Sequence, residues 1–246
     1  MDGTILTLFL IATFAGGITN GLAGFALGLV VSGIWLHILT PLQTASLIIG
    51  YGLLVQSFGV WKLRHALNWR RVLPFIIGGT FGVPIGALLL VYINPAHLRI
   101  GVGVLLVLYS SYSLARPALK PIHGGTATET GVGVINGLVG GMTGLAGVVI
   151  TIWCQLRGWP KDQQRATFQP IIFTAFIMSA GWRAAGGAVT AETTRLFLYG
   201  LPVLLAGSWL GYNLYGRLDE ARFRKVVLIL LLISGIVLIV PAAMFR

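Results

Sequence analysis

The chain has 246 residues, of which 56% are hydrophobic and only 9% are charged, and its mean hydropathy is +0.89. This composition excludes an ordinary soluble domain and is typical of an integral membrane protein. The net charge of +11 would suggest nucleic acid as a partner of a soluble protein. Here the basic residues fall in short loops between apolar runs, where they set membrane orientation and contact anionic lipid. We therefore expect membrane lipid and no nucleic acid as partners, and the sequence leaves the oligomeric state open.

Apolar runs interrupted by charge or proline divide the chain into ten segments, five in each half. The first half contains segments at about 4–20, 24–38, 42–61, 72–92 and 98–115, and the second at about 129–141, 144–156, 166–182, 196–215 and 224–244. The last three segments of each half approach the ~20 residues that a helix needs to cross a bilayer. The first two are shorter and meet at a glycine-rich motif, so we expect a broken helix or a hairpin there. Because no Lys or Arg precedes the first run, we expect it to be retained and not cleaved as a signal peptide.

The two halves carry the same four motifs in the same order. The pairs are NGLAG at 20–24 and NGLVG at 136–140, QTAS at 43–46 and QRAT at 164–167, WK at 61–62 and WR at 182–183, and AHLR at 96–99 and ARFR at 221–224. The offsets range only from 116 to 125 residues. These matches predict an internal duplication, with a first transmembrane repeat over 1–115, a linker over 116–128 and a second repeat over 129–246.

The number of crossings in each half determines how the repeats are oriented. If the first two segments form one broken crossing, each half crosses four times and the halves are parallel. If they form a hairpin, spanning or re-entrant, each half crosses an odd number of times and the halves are inverted. Lys and Arg accumulate on the cytoplasmic side, and the inverted arrangement places 13 of them inside and 4 outside, against 9 and 8 for the parallel one. We therefore predict an all-α membrane protein with two inverted-topology repeats of about five helical segments, each opening with a short glycine-broken hairpin, and with both termini outside.

The two glycine-rich breaks provide the first set of candidate binding residues. In transporters built from inverted repeats, the substrate site lies near the bilayer midplane, where discontinuous helices meet. A helix that restarts inside the bilayer directs free N–H groups and the positive end of its dipole at a ligand. The predicted residues are Asn20, Gly21, Gly24 and Gly28 in the first half and Asn136, Gly137, Gly140, Thr143 and Gly144 in the second. The glycines also have the spacing of ordinary helix contacts, so for each single glycine both interpretations are open.

A second set opens the third segment of each half. Gln43 and Thr44 correspond to Gln164 and Arg165, and these positions suit either helix capping or ligand contact. Because Arg165 stands where the first half has Thr44, the second half gains a cation that suits a planar anion with several oxygens. Further polar side chains inside apolar segments, which bond either a neighbouring helix or a ligand, are Gln56, Gln155 and Gln169.

Catalysis and metal binding have little support in the sequence. The single Cys154 excludes an intrachain disulfide and a cysteine cluster, and the four histidines show no ligand spacing. No Ser/His/Asp grouping or close carboxylate pair appears. We therefore expect neither an enzyme nor a metal or other cofactor.

Taken together, the motifs resemble the TauE/SafE family of sulfite-exporter-like permeases over almost the whole chain. The features that carry the resemblance are NGLAGFALG, NGLVGGMTGLAG, QTAS, QRAT, WKLRHALNWRR and GGTFGVPIGALL. The resemblance implies a duplicated membrane unit that exports small anions such as sulfite, sulfoacetate and other organosulfonates, as a multi-pass protein of a bacterial inner (plasma) membrane. The chain departs from the usual pattern of this family at Phe25 and Ala26, where glycine is common, and at Arg165, where a small residue is frequent.

The acidic residues favour an anion as the transported species. All six lie at segment ends or in loops, whereas cation carriers and proton relays usually keep Asp or Glu within the bilayer. An interior-negative potential favours the exit of an anion by ~2.3 kcal/mol per charge per 100 mV. The sequence thus predicts a permease that exports sulfite or a small sulfonate by alternating access at a midplane site between the repeats. A permease for another small organic anion or for a metal cation is the alternative.

Overall fold

The computed structural model describes residues 3–89, 95–115, 121–143, 146–185 and 190–244. Over these residues the chain forms ten α-helices and one 3-10 turn, Arg64–Ala66, and no strand. The helices are α1 (Gly3–Ala23), α2 (Leu27–Ile38), α3 (Pro41–Lys62), α4 (Trp69–Leu89), α5 (Pro95–Ala115), α6 (Thr126–Thr143), α7 (Val148–Leu156), α8 (Lys161–Ala185), α9 (Ala191–Gly216) and α10 (Glu220–Met244). The predicted all-helical fold with five segments in each half is confirmed.

The outer surface of the helices is apolar, as expected for a protein surrounded by lipid. Large hydrophobic side chains such as Phe81, Leu88 and Trp209 are exposed, the last two by 67% and 68%. Two described helices are long and apolar enough to cross a bilayer by length and composition, Gly3–Ala23 and Leu42–Lys62. Exposed apolar area of this extent is rare on soluble monomers and marks contact with a membrane or a partner.

The chain divides into two compact units, and each unit combines helices from both halves of the sequence. Unit 1 comprises Met1–Arg64 and Ile172–Leu218, and unit 2 comprises His65–Ile171 and Asp219–Arg246. Unit 1 therefore contains α1, α2, α3, the later part of α8 and α9. Unit 2 contains α4 to α7, the first part of α8 and α10. These units differ from the predicted repeats over 1–115 and 129–246, and that division of the sequence stays a prediction. Part of the predicted linker, 116–120, lies outside the described residues.

An aromatic cluster forms the core of unit 1. The ring of Trp35 in α2 stacks on Phe9 of α1 with centroids 5.1 Å apart and lies 6.0 Å from Tyr51 of α3. Tyr51 in turn stacks on Phe197 of α9 at 4.8 Å. Such ring pairs contribute about 0.5–1.5 kcal/mol each beyond the area that they bury. The cluster thereby connects the α1–α2 pair to α3 and α9.

Replacing Tyr51 with phenylalanine should lower the free energy of unfolding by about 0.5–1.5 kcal/mol, the usual contribution of one buried hydrogen bond. The hydroxyl of Tyr51 donates to the carbonyls of Leu196 and Phe197 at 3.1 and 3.0 Å, and the variant keeps the ring but loses this link. The matched control is Tyr199→Phe on α9, where the side chain is 60% exposed. Equal unfolding midpoints for the two variants in detergent would contradict the prediction.

A close crossing of two helices through glycine joins α1 and α9 in unit 1. A Cβ built at Gly207 of α9 would overlap the carbonyl of Phe14 and lie 3.2 Å from the amide nitrogen of Ile18. One turn further along α9, a Cβ at Gly211 would meet the carbonyl of Ile18 and lie 2.9 Å from the Cα of Gly21. The contact positions rise together along both helices, so α1 and α9 run in the same direction where they cross.

The same crossing occurs between α6 and α4 in unit 2. A Cβ at Gly78 of α4 would meet the carbonyl of Thr130 and lie 2.7 Å from the amide nitrogen of Val134. A Cβ at Gly82 would meet the carbonyl of Val134 and lie 3.0 Å from the Cα of Gly137. Here too the contact positions rise together along both helices.

The two crossings correspond residue by residue. The residues contacted on α6 lie 116 positions after those contacted on α1, which are Phe14, Ile18 and Gly21. The same interval separates the two Asn-Gly motifs in the sequence. The backbone contacts of the two crossings therefore recur at the interval that separates the matched motifs.

Candidate functional site

The first break separates α1 from α2 at Gly24, whose backbone conformation only a residue without a side chain adopts easily. Gly24 has φ of 90°, in the left-handed region that favours glycine. Its N–H donates to the carbonyl of Asn20 at 2.6 Å. Its carbonyl accepts from the side-chain amide of Gln56 on α3 at 2.9 Å. Gln56 therefore attaches α3 to the break, a role that its position inside an apolar segment left open in the sequence.

Asn20 lies beside this break with an unusual lack of partners. The residue is only 1% exposed, and neither its amide oxygen nor its amide nitrogen has a hydrogen-bond partner in the described part of the chain. The start of α2 receives no side-chain cap from the residues that the structure describes, and its N-cap residue is Ala26. Leaving a buried amide unpaired costs about 1–3 kcal/mol. The Asn20 side chain and the start of α2 can thus make hydrogen bonds that the described residues do not supply.

The second break separates α6 from α7 and is closed by its own asparagine. Gly147 precedes α7 with φ of 113°. The side-chain oxygen of Asn136 accepts from the amide nitrogens of Gly147 at 3.3 Å and Ile150 at 3.2 Å. These bonds satisfy N–H groups that a helix start otherwise leaves free. Although the sequence matches Asn136 with Asn20, the two side chains have different surroundings.

Asn136→Leu should lower the free energy of unfolding by about 1–3 kcal/mol, because two buried N–H groups at the start of α7 lose their acceptor. The matched control is Asn213→Leu on α9, whose side chain is exposed. Unfolding midpoints of the purified proteins give the comparison. A variant at Asn136 as stable as the control would show that these bonds contribute nothing.

Most of the predicted glycines lie in contact with neighbouring backbone or side chains. Gly21 and Gly137 occupy the two helix crossings described above, which is the helix-contact interpretation of their spacing. A Cβ at Gly28 would lie 3.3 Å from Ile48, and one at Gly140 would lie 3.2 Å from the Cα of Ala146. Substrate contact by these glycines stays a prediction. The side chain of Thr143 and the whole of Gly144 lie outside the described residues.

Gln43 caps α3 and also bonds to the start of α9. Its backbone N–H donates to the hydroxyl of Thr40 at 3.2 Å, while its side-chain oxygen accepts from the N–H of Thr40 at 3.1 Å. Its side-chain amide donates to Glu192 at 3.0 Å. These residues border a cavity of about 450 Å³ that Ile5 and His37 also line. Capping, the first of the two interpretations of this position, therefore describes the geometry of Gln43.

The other residues predicted at the segment starts are buried. Thr44 is 2% exposed and lies twelve positions before Gln56 on the same helix, about 18 Å along its axis at 1.5 Å per residue. The structure therefore brings Asn20, Gly24 and Gly28 to one break, but places Gln43 and Thr44 elsewhere in unit 1. In unit 2, the side-chain amide of Gln164 donates to the carbonyl of Trp159 at 2.7 Å.

Arg165, next to Gln164 in the second turn of α8, is fully buried. A guanidinium remains protonated under all physiological conditions. Arg165 is thus a permanent positive charge in the interior of unit 2. Its burial agrees with a role in attracting an anion, and that role stays a prediction.

Acidic residues in the described helices lie at helix starts and not in their middles. Glu129, Asp162, Glu192 and Glu220 each belong to the first turn of their helix, where the helix dipole favours negative charge. Glu129 also faces Arg157, with 3.5 Å between carboxylate oxygen and guanidinium nitrogen. The described helices therefore offer a buried cation at Arg165 and no carboxylate midway along their length.

Comparison with known proteins identifies one family. A family model described as "Sulfite exporter TauE/SafE" matches residues 8–238, a range that includes both breaks and every predicted site residue. No curated protein and no solved structure matches the chain.

Proposed function

Because the chain belongs to the sulfite exporter TauE/SafE family, whose members are membrane permeases and not enzymes, we propose that it exports sulfite or organosulfonates such as sulfoacetate. The family match over residues 8–238 is the observation that carries this proposal. The protein is proposed to act as a multi-pass protein of a bacterial inner membrane. A permease for another small organic anion or for a metal cation is the alternative.

The charge distribution supports an anionic substrate. The buried guanidinium of Arg165 supplies a fixed positive charge, and guanidinium groups bind oxyanions through two parallel hydrogen bonds. Cation carriers usually place a carboxylate within the bilayer, whereas the acids of the described helices lie in first turns. With an interior-negative potential, a monoanion leaves the cell downhill.

The internal duplication supports the transport mechanism. We propose that the repeats have inverted topology and alternate access to a midplane site between them, with interrupted helices at the site. The support comes from the break that follows each Asn-Gly motif and from the helix crossing that recurs 116 residues later. The inverted arrangement also places 13 of the 17 Lys and Arg residues on one side, which is the bias expected for the cytoplasmic face.

An exchange screen in proteoliposomes tests the substrate class. Vesicles containing the purified protein are loaded with labelled sulfite and diluted into sulfite, sulfoacetate, a small carboxylate or a divalent metal salt. We expect sulfite and the sulfonate to accelerate loss of label over protein-free vesicles. Acceleration by the carboxylate alone would support the organic-anion alternative, and uptake of the metal would support the cation alternative.

A further inference from the structure

The two breaks follow the same Asn-Gly motif, but the asparagine side chains differ in their hydrogen bonds. In the second break, the side chain of Asn136 caps the start of α7 through Gly147 and Ile150. In the first, the side chain of Asn20 caps no helix start among the described residues, although it is almost completely buried. The side-chain amide of Asn20, in the first repeat, is therefore the one that can still bond to a ligand.

A second unpaired group lies at the same break. The side-chain nitrogen of Gln56 is fixed by the carbonyl of Gly24 at 2.9 Å, while its side-chain oxygen has no hydrogen-bond partner in the described structure and the residue is 1% exposed. The N–H of Gly24 is held by the carbonyl of Asn20. The side chain of Gln56 thus reaches the break from α3, and Asn20 lies in the last turn of α1, just before the uncapped start of α2.

These groups include both donors and acceptors. The first N–H groups of α2 have no partner within their own helix, and together with the amide nitrogen of Asn20 they can donate to oxyanion oxygens. The side-chain oxygens of Asn20 and Gln56 can only accept. A ligand that bonds to both kinds of group must carry negatively charged oxygens for the donors and a hydroxyl hydrogen for an acceptor oxygen.

We propose that the break between α1 and α2 is an oxyanion subsite that takes its ligand in the singly protonated form, such as hydrogensulfite, while Asn136 closes the corresponding break of the second repeat. Doubly charged sulfite has no hydrogen for the two acceptor oxygens and would face them with like partial charge. An organosulfonate also lacks this hydrogen, so it binds this subsite less well than hydrogensulfite does. This inference rests on the proposed function and specifies which residues and which protonation state it uses.

Asn20→Leu and Asn136→Leu separate ligand contact from structural capping. Without ligand, Asn20→Leu should unfold at the same temperature as wild type or higher, since the variant loses an unpaired buried amide. Asn136→Leu should unfold at a lower temperature. With added sulfite, wild type and Asn136→Leu should shift upward in melting temperature. Asn20→Leu should show no shift, and its sulfite flux in proteoliposomes should fall by about tenfold or more, the effect of one lost hydrogen bond to a charged ligand.

Two further measurements complete the test. Ser57→Ala, next to Gln56 but exposed, serves as the control and should keep the sulfite-induced shift. Raising the pH above the ionisation of hydrogensulfite should weaken binding to wild type about tenfold per pH unit, as the protonated form is depleted. If leucine at position 20 prevents folding, Asn20→Ala is measured in its place.

Several results would overturn the inference. A sulfite-induced shift that survives in the Asn20 variant would mean that only ordered water occupies the break. Loss of the shift in both asparagine variants would mean that the breaks act alike, and affinity that rises with pH would mean that the doubly charged form binds. Failure of wild type to transport any anion would instead refute the proposed function, and the inference with it.

Discussion

Replacement of Arg165 by alanine is expected to reduce sulfite flux by about tenfold to a hundredfold. Hydrogen bonds to charged groups contribute about 1.5–3 kcal/mol, and each 1.4 kcal/mol corresponds to a factor of ten. Arg165 is fully buried, so solvent screens its charge far less than that of a surface arginine. Flux in proteoliposomes, divided by the amount of monodisperse protein, gives the effect on transport apart from any loss of folded material.

Two further variants show whether this effect belongs to the planar guanidinium. Arg165→Lys keeps the charge but loses the fork that binds two oxygens, so its flux should lie between those of wild type and the alanine variant. Arg222→Ala removes an exposed arginine, with 73% of its side chain accessible, and should transport normally. Wild-type flux in Arg165→Ala would remove this residue from the proposed site.

The second large effect is expected from leucine at Gly21 or at Gly137. A Cβ at Gly21 would lie 2.9 Å from both the Cα of Gly211 and the amide nitrogen of Tyr212. A Cβ at Gly137 would lie 2.8 Å from the carbonyl oxygen of Gly79. Because these neighbours are backbone atoms, no rotamer change relieves the overlap. Overpacking costs about 1–3 kcal/mol for small insertions, and a whole leucine at a backbone crossing should exceed that range and prevent native folding.

Gly131→Leu is the matched control, since it lies on the same helix as Gly137 and a Cβ there meets nothing within 4 Å. We expect the control to purify as a monodisperse protein and the two crossing variants to aggregate or fail to accumulate. A crossing variant that folds normally but does not transport would instead assign the glycine to the ligand and not to helix packing.

The ten helices of the described residues and the two breaks could be predicted from the sequence because apolar runs and glycines act locally. Thr40 at the start of α3, with Gln43 three residues later, is a capping signal that the structure uses. By contrast, the sequence could not show which glycines serve as contacts, because that depends on the partner helix. Gly131 and Gly137 lie on the same helix, yet of these two only Gly137 meets the backbone of another helix.

The difference between the two asparagines could not be predicted from their matched motifs either. Asn20 lies in the last turn of α1, three residues before it ends, whereas α6 continues for seven residues beyond Asn136. The start of α7 therefore lies beside Asn136, and its N–H groups donate to the Asn136 side chain. The role of Gln56 likewise depends on α3 passing beside Gly24, a long-range contact that no local pattern specifies.

The most direct test of anion export is sulfite efflux from proteoliposomes under an imposed membrane potential. An interior-negative potential of 100 mV should accelerate the exit of a singly charged anion, with a driving force of about 2.3 kcal/mol per charge, and an interior-positive potential should slow it. Sulfite release equal to that of protein-free vesicles at both potentials would contradict the account.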